Sequence, residues 1–126
     1  AASEITPATF RKVIEKSDAA SVGLLLEHGA KVDLQGEGDT TPLHWAAAAG
    51  KEDVVALLLE QGATVDECDA QERTALMEAV ERGHSAVARL LVRHGADSER
   101  EDRNGVSAKD IAERQRLAAA AMDAIL

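Results

Sequence analysis

Few side chains in this chain could do chemistry: four histidines, one cysteine, three clusters of carboxylates and one tryptophan. Nucleophilic catalysis needs an attacking group, a base and an orienting group that converge. Cys68, the only thiol, sits between Glu67 and Asp69 with no histidine nearby in sequence, and neighbouring carboxylates disfavour the thiolate. His28 and His94 each precede a glycine that ends a helical stretch, where a cation suits the helix C-terminus. His84 follows Gly83 at a helix start, and His44 belongs to a motif taken up below. Glu37 with Asp39, Glu67 with Asp69, and Glu99 with Glu101 and Asp102 are metal-ligand types. None has the ordered oxygens and closing glutamate of a calcium loop. Gly36-Glu37-Gly38 lacks the lysine of a phosphate-cradling loop. These residues yield no catalytic, cofactor or metal site, so the chain is not read as an enzyme. The chemistry left is recognition: acids recur along the chain, and Trp45 is the one large aromatic that could anchor an interface.

Composition points the same way. The 126 residues amount to one domain and are 45% apolar, but Ala and Leu dominate, with one Trp, one Phe and no Tyr. Small residues suit thin layers of closely packed helices. The net charge is -9, with 23 acidic against 14 basic residues, and such a surface repels nucleic acid and anionic membrane. A basic or basic-apolar protein segment is the complementary partner, although acidity also simply confers solubility. A lone cysteine makes no internal disulfide and fits a reducing compartment, the cytoplasm or nucleus. No apolar run approaches the roughly 20 residues that span a bilayer, and residues 1–5 show no export signal.

The elements that must position these residues recur with a period of 33. His28-Gly29-Ala30 returns as Gln61-Gly62-Ala63 and His94-Gly95-Ala96. Leu24-Leu25-Leu26 returns as Leu57-Leu58-Leu59 and Leu90-Leu91-Val92, and Gly50 as Gly83. Such a period marks a stacked array in which each unit buries its apolar face on its neighbours. Thr41-Pro42 opens a helix, Leu43, Ala46 and Ala47 form its apolar stripe, and Gly50 ends it. A second helix spans about 52–61 and closes at Gly62. The next unit places helices near 75–82 and 85–94. In the first unit Thr6 or Pro7 starts a helix with Phe10, Val13 and Ile14 inward and Arg11, Lys12, Glu15 and Lys16 outward, as an end unit needs. In the last, Ser107 takes the Thr place, and an Ala-rich helix to 126 is expected to cover the final layer through Ala118, Ala121, Met122 and Ile125. The units fall at 1–37, 38–70, 71–103 and 104–126, the first and last as caps.

Thr41-Pro42-Leu43-His44-Trp45-Ala46-Ala47, Gly50, Val54-Val55, Leu57-Leu58-Leu59 and Gly62-Ala63 together resemble the ankyrin repeat. The resemblance covers about 8–115. It implies an all-α solenoid of stacked helix-turn-helix units with β-hairpin-like loops, and a concave groove, formed by loops and first helices, that binds proteins. The family's loop opens with Asp and has Gly three residues later. Asp102 and Gly105 keep both, Asp69 is followed by Glu72, and Gly36 and Asp39 exchange the two. That exchange leaves the first inter-unit loop undefined, while Met77 and Glu78 stand where His44 and Trp45 stand.

Mapped on the repeat, the groove takes Glu37, Asp39, Thr40, Trp45, Ala48 and Ala49 from the second unit. The third supplies Gln71, Arg73, Glu78, Glu81 and Arg82, and the fourth Arg103 and Asn104. Trp45 either anchors a partner or packs between adjacent first helices, and Glu78 would offer an acid to a partner's Lys or Arg. The expected function is a non-enzymatic adaptor or scaffold, a monomer binding a protein or peptide with basic and apolar residues. Two alternatives stand. One is a chaperone or targeting factor that shields an apolar client with the C-terminal helix, whose Ile125-Leu126 end swings away. The other is a regulatory segment of a larger protein.

Overall fold

The computed structural model describes residues 5–125, with side chains through 124. Seven α-helices follow one another: α1 (Pro7–Lys16), α2 (Ala19–Glu27), α3 (Pro42–Ala49), α4 (Glu52–Glu60), α5 (Ala75–Glu81), α6 (Ser85–Arg93) and α7 (Ala108–Ile125). The first helices of successive units, α1, α3, α5 and α7, pack in one row, and α2, α4 and α6 in a second behind it. The expected pairs are present, each ending about one residue early because Gln61, Arg82 and His94 act as C-caps. Thr6 caps α1 through its hydroxyl, which accepts from the Thr9 amide.

The core lies between units rather than inside any one. Phe10, Ile14, Leu43, Trp45, Val54, Val55, Leu58, Leu76, Met77, Val87 and Leu91 are buried together. Each helix pair is too thin to enclose an apolar centre, so each buries its faces on the next pair. His44 ties two layers. The Thr41 amide donates to Nδ1 at 3.1 Å, which leaves the proton on Nε2, and Nε2 donates to the Arg73 carbonyl at 2.9 Å. His84 bridges the same two layers from the other side, its Nε2 donating to the Ala48 carbonyl at the end of α3 (3.1 Å).

The loops use one hairpin scheme with different residues. Backbone bonds join Gly36 to Thr40, Asp69 to Arg73 and Asp102 to Val106 (2.8, 3.0 and 2.9 Å). In the last two, the Asp carboxylate also accepts two amides inside its own loop: Asp69 from Gln71 and Arg73, Asp102 from Asn104 and Val106. Gly36 cannot do this, and its loop turns instead on two consecutive residues with positive φ, Gly38 (69°) and Asp39 (60°). That resolves the loop which the exchange of Gly36 and Asp39 leaves undefined. The equivalent third-unit position, Glu72, is also left-handed at 62°, and the fourth unit has Gly105 there.

The last unit departs from the expected cap. The first turns of α7 pack on α5 through Ala108, Ile111 and Ala112, but residues 113–124 are exposed. Ala118, Ala121 and Met122 therefore do not cover the final layer, because α7 runs straight past it. The expected roles of the Ile125 side chain and of Leu126 lie outside the described residues.

The two kinds of left-handed position give substitutions of opposite sign. Gly50 has φ 72°, and a Cβ there would lie 2.7 Å from His84 Nδ1. Gly50→Ala is expected to destabilise the stack by about 2 kcal/mol. Glu72→Gly relieves the same backbone strain in open solvent and is expected to stabilise by about 0.5 kcal/mol. Urea unfolding midpoints at constant slope measure both.

Candidate functional site

Trp45 occupies the seam between the first two units. It is 3% exposed, and its indole meets the Phe10 ring edge-to-face at 6.0 Å. Its Nε1 donates to the Thr40 hydroxyl at 2.9 Å, and that hydroxyl donates in turn to the Glu37 carbonyl at 2.8 Å. Gly36 makes the space, since a Cβ on it would sit 2.8 Å from Trp45 Cζ2. The structure thus places the Trp45 ring in the core, packed between adjacent units with almost none of its surface exposed. Half-buried Thr40 is spent in the same arrangement.

Thirty-three residues on, the same pair of positions carries charge. Arg73 stands at the Thr40 place and Glu78 at the Trp45 place, and Arg73 Nε donates to Glu78 Oε1 at 2.9 Å. Arg73 also pairs with Glu81 and, at 3.4 Å, with Asp102 of the next loop, while Arg82 reaches the other Glu78 oxygen at 3.4 Å. In the fourth unit these places hold Val106 and Ile111, both partly buried. One seam position is thus filled by an indole–hydroxyl pair, an ion network and two apolar side chains.

The network also fixes where Arg73 and Glu78 lie. Arg73 keeps only 16% of its side chain exposed, and Glu78 little more, so neither is a free charge at the surface. Burial pulls the guanidinium toward neutrality, but the Glu78 hydrogen bond and the charges of Glu78, Glu81 and Asp102 outweigh it and hold the Arg73 pKa above its ordinary value. Asp102 is held below the carboxylate range, first by the Val106 amide and then, against the opposing effect of burial, by the Asn104 amide and Arg73. Burial pushes the Cys68 thiol up, and Glu67, Asp69 and Glu72 push it further, against the opposing pull of Arg100. His28 and His94 donate Nδ1–H to the carbonyls of Leu24 and Leu90 at helix ends (2.7 and 3.0 Å).

The remaining candidates do reach the surface. Glu37, Asp39, Ala49, Gln71, Glu81, Arg82, Arg103 and Asn104 are exposed, and Ala48 is half-buried. The loop tips are also bonded to one another: the Ala70 amide donates to Gly38 and the Arg103 amide to Gln71, at 2.9 and 3.0 Å. Behind them, Asp33 accepts from the Thr64 amide and hydroxyl, and Asp66 from the Asp97 amide. These cross-unit bonds, spaced by the repeat itself, are absent from the expected set, because sequence spacing alone does not say which loop atoms meet.

Asp102 gives this network a pH signature. Its folded pKa lies below the unfolded value of about 3.9, so its contribution to stability is complete above that value and disappears as pH falls through the lower folded pKa. Asp102→Asn keeps an oxygen for the two loop amides but loses the charge facing Arg73. The variant is expected to be less stable at pH 7 and to lose less stability than the wild type on acidification below about pH 4. Thermal melts across pH 2–7, with that range roughly bracketing the carboxylate titration, measure the difference.

A family model described as ankyrin repeats, in three copies, matches residues 12–102. No curated protein matches the chain. Ankyrin repeats are in general protein–protein interaction modules and typically non-enzymatic. Among the described residues, no helix is long and apolar enough to cross a membrane. With stacked helix pairs, a His44 bridge between layers and hairpin loops in register, the chain belongs to the ankyrin-repeat family.

Proposed function

We propose that the chain is a non-enzymatic interaction module that grips a protein segment or extended peptide bearing basic and apolar residues. The observation that carries this is the bonding of loop tip to loop tip, Ala70 to Gly38 and Arg103 to Gln71. It makes one continuous edge from three loops, ordered before any partner arrives, which lowers the entropy cost of binding. Glu37, Asp39 and Glu72 give most of that edge a negative charge, and Gln71, Arg103 and Asn104 vary it. Ala48 and Ala49 supply a small apolar strip on α3, and Glu81 and Arg82 put charge at the equivalent positions of the next unit. Trp45, Arg73, Glu78 and Thr40 act from beneath, as the frame that fixes the edge. The net charge of -9 supports a cationic partner and argues against nucleic acid.

Units at 1–37, 38–70, 71–103 and 104–126 and action in a reducing compartment, the cytoplasm or nucleus, belong to the same proposal. A single cysteine, unable to form an internal disulfide, supports the latter. The chaperone alternative draws on the exposed apolar side chains of α7, Leu117 at 61% and Met122 at 56%.

Panning a displayed random-peptide library on the protein tests the edge. The selected peptides should be rich in Lys and Arg with apolar neighbours, and their affinity should fall as salt rises. The triple variant Glu37→Gln, Asp39→Asn, Glu72→Gln preserves the loop geometry and should weaken them about tenfold at low salt. Peptides without basic residues, bound equally by wild type and variant, would contradict the proposal. Apolar peptides lost only on truncation after Arg116 would instead favour the client-shielding alternative.

A further inference from the structure

Among the described residues the fourth unit has a first helix and no second. At the place where Gly50 and Gly83 end α3 and α5, the chain has Arg116, so nothing stops α7 and it continues to Ile125. The residues that the period assigns to the missing second helix, from Ala118 onward, lie on this straight extension, exposed. Among the described residues nothing fills the place they would take. Against α6 and the start of α7 lies a hollow of about 600 Å³ floored by Val80, Ala88, Val92 and Ala112, with Val92 52% exposed.

The vacant place and the extended segment match in register as well as in polarity. Between the first two units, position 23 faces position 57: a Cβ on Gly23 would lie 3.8 Å from Leu57 Cδ2. One unit on, Ala56 and Leu90 line one surface hollow. The next step pairs Arg89 with position 123, which is Asp123, the sole charge in the run 117–124. Arg89 and Arg93 border the open hollow, and among the described residues neither has a carboxylate partner. Lys109, at the place of Leu43 and Leu76, adds a third cation there, already paired with Glu99 at 3.6 Å. A cationic rim on so acidic a chain fits a segment whose one charge is an aspartate.

We propose that the occupant is the same segment of a second copy of this chain. Two straight α7 helices paired antiparallel about a two-fold axis would each lay residues 117–124 beside the other's first turns. That is the antiparallel arrangement of first and second helix inside an ordinary unit. The interface is isologous, and each copy completes the other's last layer by exchange. Return of the segment onto its own chain requires a break near 116, where Gln115-Arg116-Leu117-Ala118-Ala119 holds only helix-favouring residues. The expectation of a monomer assumes that α7 covers the last layer, and the exposure of residues 113–124 removes that assumption. The inference stands apart from the loop-tip edge, which remains on the outside of the dimer.

Sedimentation equilibrium of the full chain should show a reversible rise from 13.3 kDa to twice that mass with concentration. Arg89→Asp alone and Asp123→Arg alone should each weaken self-association at least tenfold. Mixing the two should restore a heterodimer, because every Arg then faces an Asp across the axis. Arg116→Gly should permit the turn and yield a monomer with the helical circular dichroism of the wild type. A wild type that stays monomeric at all concentrations would overturn the proposal. So would a dimer that survives truncation after Arg116, or single variants whose mixture regains nothing.

Discussion

The whole molecule depends on the seam between successive first helices, because no unit can bury its own apolar faces. Phe10 and Trp45 meet edge-to-face across the first seam, and His44 reaches across the second to the Arg73 carbonyl. Both contacts place a side chain of one unit against the backbone or ring of the next. Remove the neighbour and each leaves a buried ring or a polar nitrogen without a partner, at a cost that hydrogen bonding to water repays only in part. Stability is therefore shared along the array rather than held by single units.

Each seam solves the same geometric problem with its own chemistry. The indole–hydroxyl pair of Trp45 and Thr40 requires a glycine at 36, and that requirement moves the loop aspartate to 39 and changes the turn. The Arg73 network keeps Asp69 in its loop and reaches forward to Asp102, tying the second loop to the third. An ion pair so shielded is costly to break on one side only, since the partner is left charged and poorly hydrated. These residues thus set the spacing of the loops whose tips face outward.

Much of this was legible in the residue pattern. The Thr-Pro-Leu-His core, the glycines at 50, 62, 83 and 95 and the 33-residue period fix helix order and approximate bounds, because capping and backbone handedness are local effects. The fate of Trp45 was not, since its burial depends on Phe10 from another unit and on the absence of a Cβ at Gly36. The signal was present as the exchanged Gly36 and Asp39, which marks a loop shaped around something. Glu78 has the exposed Arg82 at the helical i+4 spacing, but its closer and more buried partner, Arg73, lies five residues away, outside the helical spacings that sequence patterns weigh. The straight run of α7 was signalled by Arg116 at a glycine place, but Ala-rich sequence keeps helical periodicity whether or not it packs.

The central claim is that the aromatic at the seam holds the array and is not a contact for partners. Trp45 is the only tryptophan and there is no tyrosine, so the intrinsic fluorescence of the native protein reports this one ring. Acrylamide and iodide quenching, read against the urea-unfolded chain, is the direct measurement. A blue-shifted emission that iodide leaves untouched, and that a bound peptide does not alter, is the predicted result. A red-shifted emission quenched by iodide as readily as in the unfolded chain would place Trp45 at the surface and contradict the account.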